Sequence, residues 1–155
     1  PPRSTLFPYT TLFRSEVAES VYAGQLARLS AEDWLALYGA LQAVETAGSF
    51  GRWTEPTQQS DGSWQMPYAT LSDECSNFMQ ILGRLGLHIP FDWSAWEHGR
   101  TLAEVPERLE HASRAEAAML IFAIWRSDRF VEGELLDAFE RGLMQRAARR
   151  MLSAS

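Results

Sequence analysis

The chain has 155 residues, of which 46% are hydrophobic and 22% charged. These are ordinary values for a folded protein, so they exclude wholesale disorder and fit one domain with a real core. The formal net charge is −6 and every basic residue is arginine; a surface of that sign repels phosphate backbones and argues against general nucleic-acid binding.

Cys75 is the sole cysteine, which leaves no internal disulfide and fits a reducing cytoplasm. No apolar run approaches the ~18 residues needed to cross a bilayer, so no membrane partner is expected.

The first fifteen residues, Pro1 to Ser15, resemble the translation of a sequencing-adapter oligonucleotide, and are set aside as a non-native, disordered tail. Leaving out Arg3 and Arg14 makes the remaining charge more negative still. With the native start replaced, a missing export signal carries no weight.

From Glu16 to Leu29, the spacing of Val17, Val21, Tyr22, Leu26 and Leu29 predicts an N-terminal helix, weakened by Gly24. The remaining chain, 30–152, reads as a single globular domain. Ser30 with Asp33 forms a variant capping box for a helix over Ala31 to Glu45, with Trp34, Leu37, Tyr38, Leu41 and Val44 as its inward stripe. Phe50 to Trp53 and Trp64 to Ala69 predict two aromatic strands joined by a polar loop with an Asp61-Gly62 turn. An isolated hairpin is marginal in water, so Trp53 and Trp64 must find helices to lie on.

Ser72 caps a helix that buries Cys75, Phe78, Met79, Leu82 and Leu85 and stops at Gly86. Next comes Ile89-Pro90-Phe91-Asp92-Trp93-Ser94-Ala95-Trp96. Asp92 sits where an N-cap belongs, and Phe91 with Trp96 matches a hydrophobic staple, predicting a helix of about two turns that ends near Gly99. Thr101 to His111 reads as irregular or short-helical around Pro106. Ser113 and Glu116 make another capping box before Ala117 to Trp125, which is apolar on every side. That pattern suits a helix buried all round; the capping box and alanines favour it over a central strand. A last helix carries Leu135, Leu136, Phe139, Leu143, Ala147 and Met151 inward, and Gly142 within the stripe suggests close approach to a neighbour. The expected fold is mainly α (α+β): a single-domain bundle of five or six helices with one small aromatic β-hairpin.

Phe91-Asp92-Trp93 with Trp96, Asp128-Arg129-Phe130 with Glu132-Gly133 and Ala138-Phe139-Glu140, and Phe50-Gly51-Arg52-Trp53 upstream together resemble the bacterial domain of unknown function 6508 family. The resemblance runs from about Leu29 to Leu152. It implies no activity, since that family carries no established biochemical role. Val131 replaces the family's usual small residue and hydroxyl before Glu132, which argues against a hydroxyl nucleophile there.

The sequence shows no phosphate loop, nucleophile elbow or dinucleotide fingerprint. The candidate ligand-binding residues are Asp92, Trp93, Trp96, Asp128, Arg129 and Glu132. Arg129 could hold a carboxylate or phosphate in two-pronged fashion. Equally, it could pair with Asp92 and merely bind the two motifs together. The tryptophans could line a groove or fill the core. His88, Glu97, His98 and His111 lack the spacing of a metal helix, and no cofactor is expected. Arg141, Arg146, Arg149 and Arg150 make a basic end on the last helix, explained by its dipole and solvation or, less simply, by an acidic partner. Two functions follow: a binding or accessory module for a protein or small anionic ligand, or an enzyme working at a cleft with Asp92, Arg129 and Glu132.

Overall fold

The computed structural model describes residues 14–153. Most of the expected adapter-derived tail lies outside the described residues. Its last two residues do not: Arg14 occupies the cap position of the first helix and Ser15 opens it. The helices are α1 Ser15–Arg28, α2 Ala31–Thr46, α3 Asp73–Arg84, α4 Glu97–Glu104, α5 Arg114–Ser127, α6 Glu134–Glu140 and α7 Leu143–Leu152. Between α2 and α3 run β1 Gly51–Trp53, β2 Thr57–Gln58, β3 Trp64–Gln65 and β4 Ala69–Leu71. The fold is mainly helical with a small strand component, as the sequence predicts.

Four of the helices pack on α5, while α2 packs on α3 and α7. Ala115, Ala117 to Phe122 and Ile124 are all buried, so the helix needs cover on each side and receives it from α1, α4, α6 and α7. Its start is fixed by a reciprocal capping box: the Glu116 amide donates to Ser113 Oγ (3.0 Å) and the Ser113 amide to Glu116 Oε2 (2.8 Å). Ser30 and Asp33 do the same for α2, and Ser72 accepts from the Cys75 amide at the head of α3. These caps sit where the sequence put them.

Two stripes keep most of their expected members, Tyr22 and Leu26 on α1 and Leu37, Leu41 and Val44 on α2, but each has one expected member exposed. On α1 the buried line is Ala18, Tyr22 and Leu26, leaving Val17 half exposed. On α2 Tyr38 is 53% exposed while Ala40 is buried. In both helices an alanine, Ala18 or Ala40, joins the buried line. Tyr22 also reaches across to the link after α3: its hydroxyl donates to the Ile89 carbonyl (2.8 Å) and accepts from the Ile89 amide (3.1 Å).

The strand region is one long hairpin carrying two antiparallel ladders. At its base β1 pairs with β4, Trp53 opposite Ala69; further out β2 pairs with β3, Gln58 opposite Trp64. Trp53 therefore does not face Trp64. Trp53 lies at the start of α6, while Trp64 stays 61% exposed on the outer ladder.

The expected last helix is two helices. The chain breaks at Gly142, whose φ of +77° is left-handed, and no atom lies within 4 Å of where a Cβ would sit. Gly142 is thus a backbone device and not a point of close approach. Gln145 supports the break from inside: its buried side-chain amide donates to the Phe139 carbonyl at 2.9 Å. The split takes the helix count above the expected five or six.

Replacing Gly142 by Ala should cost about 1 kcal/mol in urea unfolding, and Asn should cost less, because Asn tolerates the left-handed region; an Ala variant as stable as the parent would contradict this. Burial pushes the Tyr22 phenol well above its ordinary range, with the Ile89 amide pulling weakly the other way. The folded chain then keeps a proton that the unfolded chain releases. Stability should hold below about pH 10 and fall as pH rises through the ordinary tyrosine range, and Tyr22→Phe should flatten that fall in alkaline melts.

Candidate functional site

The Phe91–Trp96 turn is built differently from its sequence reading. Asp92 has φ −76° and ψ 72° and makes no capping bond; its Oδ1 accepts from the Ser94 hydroxyl at 3.1 Å. The chain first makes a 3₁₀ turn over Trp93–Ala95, so α4 begins only at Glu97 and runs through Gly99 to Glu104. The cap position falls to Trp96, which has no oxygen to offer. The expected staple contact does form: the Phe91 and Trp96 rings meet edge to face, centroids 5.6 Å apart, and both are buried. Gly99 lies under Trp96, where an added Cβ would stand 2.2 Å from ring atom Cε3.

The second turn, after α5, uses both its carboxylates on backbone amides. Asp128 Oδ1 accepts from the Leu135 amide at 2.9 Å, tying the end of α5 to the start of α6. Glu132 Oε1 accepts from the Ala69 amide at 2.8 Å, fastening the turn to the outer edge of β4. Between turn and hairpin, Trp53 lies on Gly133, whose φ is +86°; a Cβ there would come 2.0 Å from the indole. Arg129 is exposed and, among the described residues, has no ion pair or side-chain hydrogen bond.

The two turns meet, but not through charge. No Asp92–Arg129 pair forms, because Asp92 borders a separate shallow cavity with Arg14, Ser15 and Glu16. The contact is instead between Trp93 and Phe130, centroids 6.1 Å apart. Behind it opens a groove of about 330 Å³ between α4 and α5, floored by Leu120 and Ile124, with Trp93, Trp96, Phe130 and Val131 as walls. Phe130 and Val131 stand 74% and 58% exposed at its mouth. Arg100 and Glu134 are its charged members, and the Arg100 guanidinium already donates to the Ser94 carbonyl at 2.7 Å.

Of the six residues singled out in the sequence, Trp93 and Trp96 therefore line the groove. Asp128 and Glu132 hold its rim in place, and Asp92 and Arg129 do neither. Phe130, Val131, Arg100 and Ile124 escaped the sequence reading. For the first two a signal existed: two bulky apolar residues stand together in a turn flanked by Arg129 and Glu132.

Other sequence candidates resolve into structure. His98 Nε2 lies 3.3 Å from Glu116 Oε1, and His88 stacks on Trp125 (4.3 Å, 15°). No group of three or more metal-ligating side chains gathers among the described residues. Cys75 is buried, and burial raises its thiol above the usual range. On α7, Arg149 pairs with Glu45, Arg146 approaches Glu107 and Arg150 donates to the Ala112 carbonyl, while Arg141 pairs with Asp137. No helix among the described residues is long and apolar enough to cross a membrane.

Gly99→Ala should force the buried Trp96 ring to move, at a cost of about 1–3 kcal/mol, with a shift in tryptophan emission. Unchanged stability and emission would show that the ring has room which the packing denies.

Comparison with known proteins places this geometry in a lineage without assigning it a reaction. No curated protein and no solved structure matches the chain. The family of unknown function DUF6508 matches residues 29–155, a stretch that holds the hairpin, both turns and every wall of the groove. The chain belongs to that family.

Proposed function

We propose that the protein is a cytoplasmic binding module whose groove between α4 and α5 seats a large apolar side chain of a protein partner. The observation that carries this reading is the exposure of Phe130 and Val131 at the mouth of an apolar slot. A folded chain gains by covering such side chains, and an apolar patch beside a preformed groove is the usual form of a docking site for an anchor residue. Small side chains line the slot on both helices, Ala103 on α4 and Ala123 on α5, and they leave space there that larger residues would take up. Its chemistry favours an apolar guest over a free anion, since Arg100 is offset by Glu134 and already bonded within the chain. An enzyme built on Asp92, Arg129 and Glu132 lacks geometric support: Asp92 borders another cavity and the Glu132 carboxylate is occupied by the Ala69 amide.

The test is a selection of phage-displayed random peptides on the native protein, followed by binding of the synthetic winners to an Ala123→Trp variant. The indole would fill the slot, and its fold can be checked by circular dichroism. The winners should share a large apolar anchor and lose about tenfold or more in affinity for the filled variant. Peptides that bind both proteins equally would place recognition elsewhere.

A further inference from the structure

Trp93 has a second cavity on its other side. Its walls are His88, Phe91, Phe122 and Trp125, closed by Pro90 and Arg126, and it holds about 280 Å³. We infer that this box is a binding site for a small aromatic carboxylate, with the ring among the aromatic walls and the carboxylate on Arg126. The site is separate from the groove, sharing only Trp93 with it, and does not depend on the docking proposed above.

Three observations converge. First, the walls are rings set at angles to one another: Phe91 to Phe122 is 5.6 Å at 37°, and Phe122 to Trp125 is 5.8 Å at 53°. Such a cage offers both edges and faces to a flat guest, the arrangements in which aromatic pairs attract. Second, the only formal charge on the lining among the described residues is positive. Arg126 sits half-buried with its guanidinium carbon 5.8 Å over the Trp125 ring. Among the described residues it has no ion pair and no side-chain hydrogen bond, so its two-pronged donor face is uncommitted. Neither Asp nor Glu lines the box, so an ammonium would meet no counter-charge there. Third, the His88 imidazole is held neutral, burial having lowered its pKa, and its buried Nε2 finds no hydrogen-bond partner among the described residues. An unsatisfied buried nitrogen is uncommon in folded chains and calls for an explanation, and here it belongs to a residue that lines the box. The volume sits near the lower bound of the ~300–1,000 Å³ typical of ligand pockets, which suits a single or fused ring and excludes a nucleotide-sized cofactor.

The experiment titrates the full chain with phenylacetate and with indole-3-acetate, against phenethylamine as the matched cation, reading tryptophan fluorescence and heat. At least one acid should bind saturably below about 10 mM while the amine does not. Arg126→Gln should weaken the acid about tenfold or more, the loss of one charge-assisted pair, and Arg126→Lys should recover part of it. Arg129→Gln and the groove-filling Ala123→Trp should leave acid binding intact. No saturable binding of either acid, equal binding of the amine, or indifference to Arg126→Gln would each overturn the inference. Loss of acid binding in Ala123→Trp would overturn it too, by moving the acid into the groove.

Discussion

The burial of the apolar run of α5, Ala115, Ala117 to Phe122 and Ile124, is the constraint from which the rest follows. A helix with apolar residues around its whole circumference cannot face water on any side, so α1, α4, α6 and α7 must surround it. Each large side chain sunk in this way contributes about 1.5–3 kcal/mol relative to exposure. The polar chain can resume only at the two ends of α5. At one end Ser113 and Glu116 close a capping box; at the other Asp128 binds the Leu135 amide and turns the chain into α6. The second signature turn is thus the exit from the core.

That origin explains why its charged residues are scaffold. Two carboxylates, Asp128 and Glu132, are each fixed by a backbone amide, on α6 and β4 respectively. Hydrogen bonds to a charged acceptor are stronger than neutral ones, and these two tie the turn to α6 and β4. With the turn held, Phe130 and Val131 project outward next to Trp93. The surface proposed for docking is therefore apolar, and the two fixed carboxylates beside it hold the turn that carries it. Small residues at the α4–α5 seam turn what would have been a filled interior into a slot, and the same Trp93 indole divides that slot from the aromatic box behind it.

Features decided within a few residues of chain were legible in the sequence. Ser30, Ser72 and Ser113 cap the helices they precede, because a cap needs only its own next turn. The all-apolar run of α5 announced its burial for the same reason. What escaped depended on distant partners. Asp92 looked like a cap, but the 3₁₀ turn that seats Trp96 against Phe91 moves the helix start past it. The stripe from Leu135 to Met151 runs unbroken through Gly142 in sequence, so nothing local revealed the left-handed break there. The register of the hairpin also escaped, with Trp53 opposite Ala69 at its base and Trp64 opposite Gln58 on a second ladder further out. The site was half visible for this reason: Trp93 and Trp96 were apparent from their own turn, while Phe130 became meaningful only once α5 and α4 were side by side.

The central claim is that the two signature turns are coupled through aromatic contact and not through an ion pair. A double-mutant cycle on Trp93→Ala and Phe130→Ala, measured by chemical unfolding, tests it directly. Coupling of about 0.5–1 kcal/mol is expected for rings in contact at a partly exposed site, with none between Asp92→Asn and Arg129→Gln. Additive aromatic mutations alongside a coupled Asp92–Arg129 pair would contradict the account.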